Sequence, residues 1–256
     1  MTLIIIALAV YGAFLARAAA TPDYSSVLQP PSAVHWLGTD EFGRDELVRI
    51  LYGAHLSIVI GLGSVLASMI PGVLLGVVAG YYEGSVATII MRATDVMLSF
   101  PGILVAIGVI AIFGGGLINV IFAVAVFTLP VFIRLVHGST LAQRHLSYVE
   151  AARMIGASDV RILLRRIIPN IYPVILIYAT MRIGTAILTA ASLSFLGLGV
   201  DPSTPEWGAM LNQAQNFLSS APWTLIGPGL AIVVTVLCFN MLGEALREAV
   251  DPRIRL

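Results

Sequence analysis

Lysine is absent from the sequence, cysteine occurs once, and residues of either charge make up only 11% of the chain. Each shortage excludes something. Without lysine there is no G-x-x-x-x-G-K-[ST] loop, so nucleotide hydrolysis by the P-loop route is not available to this chain. A lone cysteine, Cys238, forms no intrachain disulfide, and its place in an apolar run marks it as a small packed or lipid-facing residue. The fourteen basic residues are all arginine, fourteen acids balance them, and they form no basic stripe, so no nucleic-acid partner is expected. A soluble domain carries about 25% charged residues. Here 58% of residues are hydrophobic, and the mean hydropathy is +0.95. These values place the chain in a membrane.

Six apolar stretches, at about 2–20, 56–80, 97–113, 117–136, 171–195 and 223–242, approach the roughly 20 residues that cross the hydrocarbon. The expected fold is therefore an all-α, polytopic bundle of about six transmembrane helices. The first stretch also admits a signal-peptide reading, because Ala18 and Ala20 give a small-x-small site. No positive residue precedes it, which favours a retained first span over residues 1–20, shortened at its N-terminus. Arginine then orients the bundle. Arg92, Arg144, Arg153, Arg161, Arg165, Arg166, Arg247, Arg253 and Arg255 lie in the loops at 81–96 and 137–170 and in the tail, whereas the segments at 21–55 and 196–222 hold only Arg44 and Arg49. By the positive-inside rule both termini are cytoplasmic. The expected organisation is an external loop with an amphipathic helix over 21–55, a core over 56–242 with a cytoplasmic loop at 137–170, and a tail over 243–256. In the external loop Asp40 is the expected cap, Leu47, Ile50 and Leu51 share a helix face, and Trp36, Tyr52, Trp207 and Trp223 suit a membrane interface.

Within the spans, Gly72, Gly76 and Gly80 recur every fourth residue and present a bare ridge for close helix packing, although glycine is common in membrane helices generally. In "TMRIGTAILTAASLSFLGLG", Arg182, Thr185, Thr189 and Ser192 are candidate pathway residues; the hydroxyls serve equally well as helix packing. Arg182 near a span entry calls for a partner such as Asp95 or Glu244, an aqueous cavity, or snorkelling to the interface. Paired deep acids or a nucleophile–base pair, which an intramembrane enzyme needs, are not evident, and the four histidines are too scattered to form a metal cluster.

One stretch is unlike the rest. "SYVEAARMIGASDVRILLRRIIPN" (147–170) reads as a short helix, a turn at Gly156, and a second helix running to Pro169, with Ser147 and Glu150 in capping-box spacing. Ala151, Ala152, Ile155 and Ala157 give a small, smooth side rimmed by Glu150 and Arg153, the shape of a docking element for a cytoplasmic protein.

This stretch resembles the EAA loop of bacterial ABC importer permeases, with Glu150, Ala151, Ala152, Gly156 and Pro169 matching its pattern. "HWLGTDEFGRDELVRILYGAHLS" (35–57), "DVMLSFP" (95–101), "ASLSFLGLGV" (191–200), "PEWGAML" (205–211) and the terminal "DPRIRL" (251–256) are similar to the C-type permeases of dipeptide, oligopeptide and nickel importers, with His55 where arginine is commoner. The resemblance implies a type I ABC importer permease in a bacterial inner membrane. Its Glu150, Ala151, Ala152, Arg153, Gly156 and Ala157 would couple to an ATPase. It implies a heterodimer with a related second permease, two cytoplasmic ATPase subunits that hold ATP and Mg, and an extracytoplasmic solute-binding protein. This chain itself would bind no cofactor. The expected cargo is a di- or oligopeptide, with nickel or a nickel chelate as the alternative. A secondary transporter would leave the docking loop unexplained.

Overall fold

The computed structural model describes residues 2–250; the "DPRIRL" segment, with Arg253 and Arg255, lies outside the described residues. Among them the chain is helical throughout its ordered elements: α1 (Thr2–Ala13), α2 (Ala16–Ala20), α3 (Glu46–Tyr81), α4 (Ser85–Ser99), α5 (Gly102–Phe113), α6 (Leu117–Arg144), α7 (Ser147–Met154), α8 (Asp159–Ile162), a π-helical turn (Leu163–Ile167), α9 (Ile168–Phe195), α10 (Trp207–Ala214) and α11 (Trp223–Val250).

The all-α membrane bundle is as expected, with its spans divided differently. Four helical runs are long and apolar enough to cross a bilayer: Glu46–Tyr81, Leu117–Arg144, Asp159–Phe195 and Trp223–Val250. The expected third span is instead a broken pair, with α4 and α5 meeting at 92°. Pro101 between them lacks an N–H and biases Phe100 to extended backbone, observed at φ −91°, ψ 141°. The stretch expected as the first span holds α1 over Thr2–Ala13 and α2 over Ala16–Ala20. A turn at Phe14 and Leu15 separates the two.

Two helices organise the core. α3 and α6 lie side by side through the glycine ridge of α3. A Cβ built on Gly72 would sit 2.6 Å from the Phe132 Cβ, on Gly76 2.7 Å from the Val136 Cβ, and on Gly80 2.6 Å from the Thr140 Cβ. Only hydrogen fits at these three positions, which lets the helices close to the dispersion contact that holds helices together in lipid. α9 packs across both, with Ile183 and Ile187 of α9 meeting Gly61 of α3. Pro71, Pro130, Pro173 and Pro228 all sit inside helices without ending them.

The segments before α3 and around α10 are knit to the helix ends. No separate amphipathic surface helix precedes the second span; Leu47, Ile50 and Leu51 are in the first turns of α3, which is capped by Asp45 accepting from the Val48 N–H at 3.1 Å. Asp40, the expected cap, is buried, accepts from Arg44 Nε at 2.6 Å and forms an ion pair with Arg49 Nη1 at 2.9 Å. Arg49 reaches on to Gln213 Oε1 at 3.1 Å. Glu206 caps α10, accepting from the Gly208 and Ala209 N–H groups. Trp207 is corrected from interface anchor to core residue: it is 2% exposed and its indole donates to the Ile50 carbonyl at 3.0 Å. The Trp223 indole likewise donates to the Thr39 carbonyl at 3.2 Å, and of the anchors expected Trp36 alone is strongly exposed.

Candidate functional site: the 147–170 loop and the α9 face

α7 is an amphipathic single unit. Val149 and Ala152 are buried and join Val77 and Tyr81 of α3, Val136 of α6 and Ile162, Ile167, Ile171 and Ile175 at the start of the Asp159–Phe195 run. This second, smaller core ties the loop to three membrane helices at once. The opposite side of the loop is bare: Glu150, Ala151 and Arg153 are exposed, and Met154 and Ile155 are 88% and 84% exposed. An exposed apolar pair beside a helix whose other face is anchored is the form of an interaction surface. Gly156 turns the chain at φ +80°, a conformation that disfavours any side chain, and its N–H and that of Ala157 cap the helix through the Arg153 and Ala152 carbonyls.

Sequence reasoning missed the polar lock under this loop. Tyr81, the last residue of α3, donates its hydroxyl to Asp159 Oδ1 at 2.7 Å, and the Arg153 guanidinium lies 5.1 Å from the centre of the Tyr81 ring. The Tyr81 hydroxyl pushes Arg153 above its ordinary pKa. Arg144, buried at the end of α6, donates to the Tyr81 carbonyl at 3.1 Å and pairs with Glu83. These residues lie up to 78 positions apart, so periodicity carried no signal for them. The expected capping box is corrected as well. Leu146 occupies the cap, Ser147 is already helical, and no side chain caps the helix. Nor does the second helix stop at Pro169. The π-turn over Leu163–Ile167 ends just before it, and proline takes the N-terminal turn of α9, where its missing N–H is tolerated.

The second candidate site is a stripe along α9. Tyr178, Arg182, Thr185, Thr189 and Ser192 succeed one another at spacings of three and four, hence on one face. Thr185 is exposed and Arg182, Thr189 and Ser192 are partly so. The hydroxyls are satisfied within the helix, donating to the carbonyls of Arg182, Thr185 and Leu188 at 2.8 to 2.9 Å. Arg182 pairs with neither expected acid: its guanidinium lies 4.7 Å from the Tyr178 ring centre and bonds that hydroxyl, while Asp95 pairs with Arg134 at 2.6 Å. Beyond Ser192 the stripe opens into an apolar hollow of about 380 Å³ lined by Leu188, Phe195, Leu211 and Ile232. Among the described residues no group of three histidines, cysteines or acids could hold a metal ion, and Cys238 is buried.

Residues 72–256 match the family model described as "Binding-protein-dependent transport system inner membrane component". The chain belongs to that family. It is an ABC importer permease, a multi-pass protein of the inner membrane with no catalytic role of its own. Over 233 residues it is 52% identical to the glutathione transport system permease protein GsiD of Pectobacterium atrosepticum, covering 91% of this chain and 77% of that protein. It is 50% identical over the same length and coverage to GsiD of Escherichia coli O6:K15:H31. An inward-facing crystal structure of the MetNI methionine ABC transporter shares the fold at a TM-score of 0.67 and 18% identity, over 80% of this chain and 97% of that one.

Proposed function

We propose that this chain is one of two related permease subunits that form the pathway of an ATP-driven peptide importer, and that its cargo is a small peptide of the glutathione or dipeptide class. Two ATPase subunits bind beneath it, holding ATP and Mg, and a solute-binding protein docks on the outer face; both termini are cytoplasmic. The observation that carries the peptide reading is the identity of about half, over 91% of the chain, to permeases named for glutathione transport.

The mechanism follows from the loop. Met154 and Ile155, with Glu150 and Ala151, dock on an ATPase subunit. Closure of the ATPases displaces α7. Because Val149 and Ala152 share a core with α3, α6 and the start of α9, and Tyr81 ties α3 to Asp159, that displacement reaches three membrane helices as a body. Packed side chains transmit it without a soft joint. The α9 stripe and its hollow then face the second permease, where the in-helix hydroxyls and Arg182 present a wet lining to a zwitterionic peptide.

Uptake into proteoliposomes containing the assembled complex, its binding protein and internal ATP tests this reading. Accumulation of glutathione or a dipeptide is expected; accumulation of nickel alone would replace the cargo, and accumulation without ATP would replace the class.

A further inference from the structure

A cavity of about 460 Å³ lies between the coupling loop and the start of the Asp159–Phe195 run, walled on one side by Ala152, Ile155 and Gly156 and on the other by Arg161, Arg165 and Arg166. It is separate from the α9 stripe and its hollow. Among the described residues none of the three guanidinia takes part in an ion pair. The nearby Asp159 is turned to Tyr81. Arg165 and Arg166 sit in the π-turn, whose extra residue per turn departs from regular helical register.

The same segment has a second side. Val160, Leu163, Leu164 and Ile168 line an apolar groove of about 150 Å³ with Val73, Val77 and their neighbours on α3. Val160 and Leu164 remain about 60% exposed there. A segment with three arginines on one side and an unpartnered aliphatic groove on the other belongs at the boundary between headgroups and acyl chains.

We infer that the Arg161–Arg165–Arg166 cavity holds the phosphodiester headgroup of an anionic phospholipid, with an acyl chain along the Val160–Leu164–Ile168 groove. Guanidinium forks match phosphate oxygens, and basic pockets between helices on the cytoplasmic side take such headgroups. A lipid there bridges the loop to the membrane segment that follows it, so the coupling lever is braced by the bilayer as well as by protein. The inference rests on the cytoplasmic placement proposed above, but lipid retention is read without transport, so the two readings fail separately.

The test is native mass spectrometry of the complex as purified from the membrane, with its accompanying subunits, exchanged into detergent containing equal phosphatidylglycerol and phosphatidylethanolamine. Wild type is expected to retain phosphatidylglycerol preferentially, and each arginine-to-glutamine change in R161Q, R165Q and R166Q to lower retention on the order of fivefold. The charge-preserving R165K/R166K pair is expected to keep most of it. Equal retention of the two lipids by wild type would overturn the inference. So would undiminished phosphatidylglycerol retention by the triple glutamine variant, or loss of the ATPase subunits from that variant with lipid retention unchanged, which would assign the arginines to a protein partner.

Discussion

Gly76 faces the Val136 Cβ and the Ile133 carbonyl with no room for a methyl group, since an added Cβ would lie 2.7 and 2.8 Å from them. Gly76→Val must therefore part α3 from α6, and the expected cost is about 1–3 kcal/mol of overpacking, checked as a lower thermal midpoint of the purified complex in detergent. An unchanged midpoint would mean that the two helices are not in contact along this ridge. Ahead of α3, Asp40 holds Arg44 and Arg49, the latter 1% exposed. Asp40→Ala leaves two guanidinia buried without their counter-ion, a change that costs about 3–5 kcal/mol; greatly reduced folded protein in the membrane is the expected result, and wild-type yield and thermal midpoint would contradict it. The glycine ridge was legible because a four-residue spacing maps directly onto a helix face. The Asp40 cluster was not, since it closes between segments of unlike local pattern, and Asp40 looked like a cap from its neighbours alone.

At the scale of elements, α7 couples two requirements: an anchored face and a bare one. Gly156 at φ +80° ends it, and Gly156→Val costs about 1–2 kcal/mol of local strain while redirecting the chain into α8. Together with Glu150→Ala, this change is expected to abolish uptake while leaving membrane insertion intact; normal uptake by the double variant would remove the coupling role from the loop. Tyr81→Phe is milder, removing one hydrogen bond of about 0.5–1.5 kcal/mol between α3 and Asp159. Partial uncoupling is the expected outcome, with ATPase activity retained and less solute moved per ATP; an unaltered ratio would show that the Tyr81 lock bears no load. Helix 147–154 and its glycine stop could be read from composition and spacing, as could the long apolar spans. The 92° break at Pro101 and the passage through Pro169 could not be read so reliably. A proline in lipid is compatible with a kink, a start or an uninterrupted helix, and neighbouring helices decide which.

For the whole molecule, the exposed α9 stripe lies in one continuous run from Asp159 to Phe195, and the first turns of that run share a core with Val149 and Ala152 of α7, so on the proposed reading a displacement of α7 is carried to the stripe. Thr185→Cys and Thr189→Cys are expected to react with a membrane-impermeant maleimide in the assembled complex and to be protected by the transported peptide. Failure of both to react would turn this face toward lipid. The most direct measurement of the central claim is the ATPase rate of the purified complex in lipid, with the binding protein empty or loaded, in wild type and in the Glu150→Ala/Gly156→Val variant. The account predicts stimulation by peptide-loaded binding protein in wild type and none in the variant, with the ATPase subunits intact in both. Equal stimulation in the two would contradict it, because the signal would then pass from outside to inside without the loop.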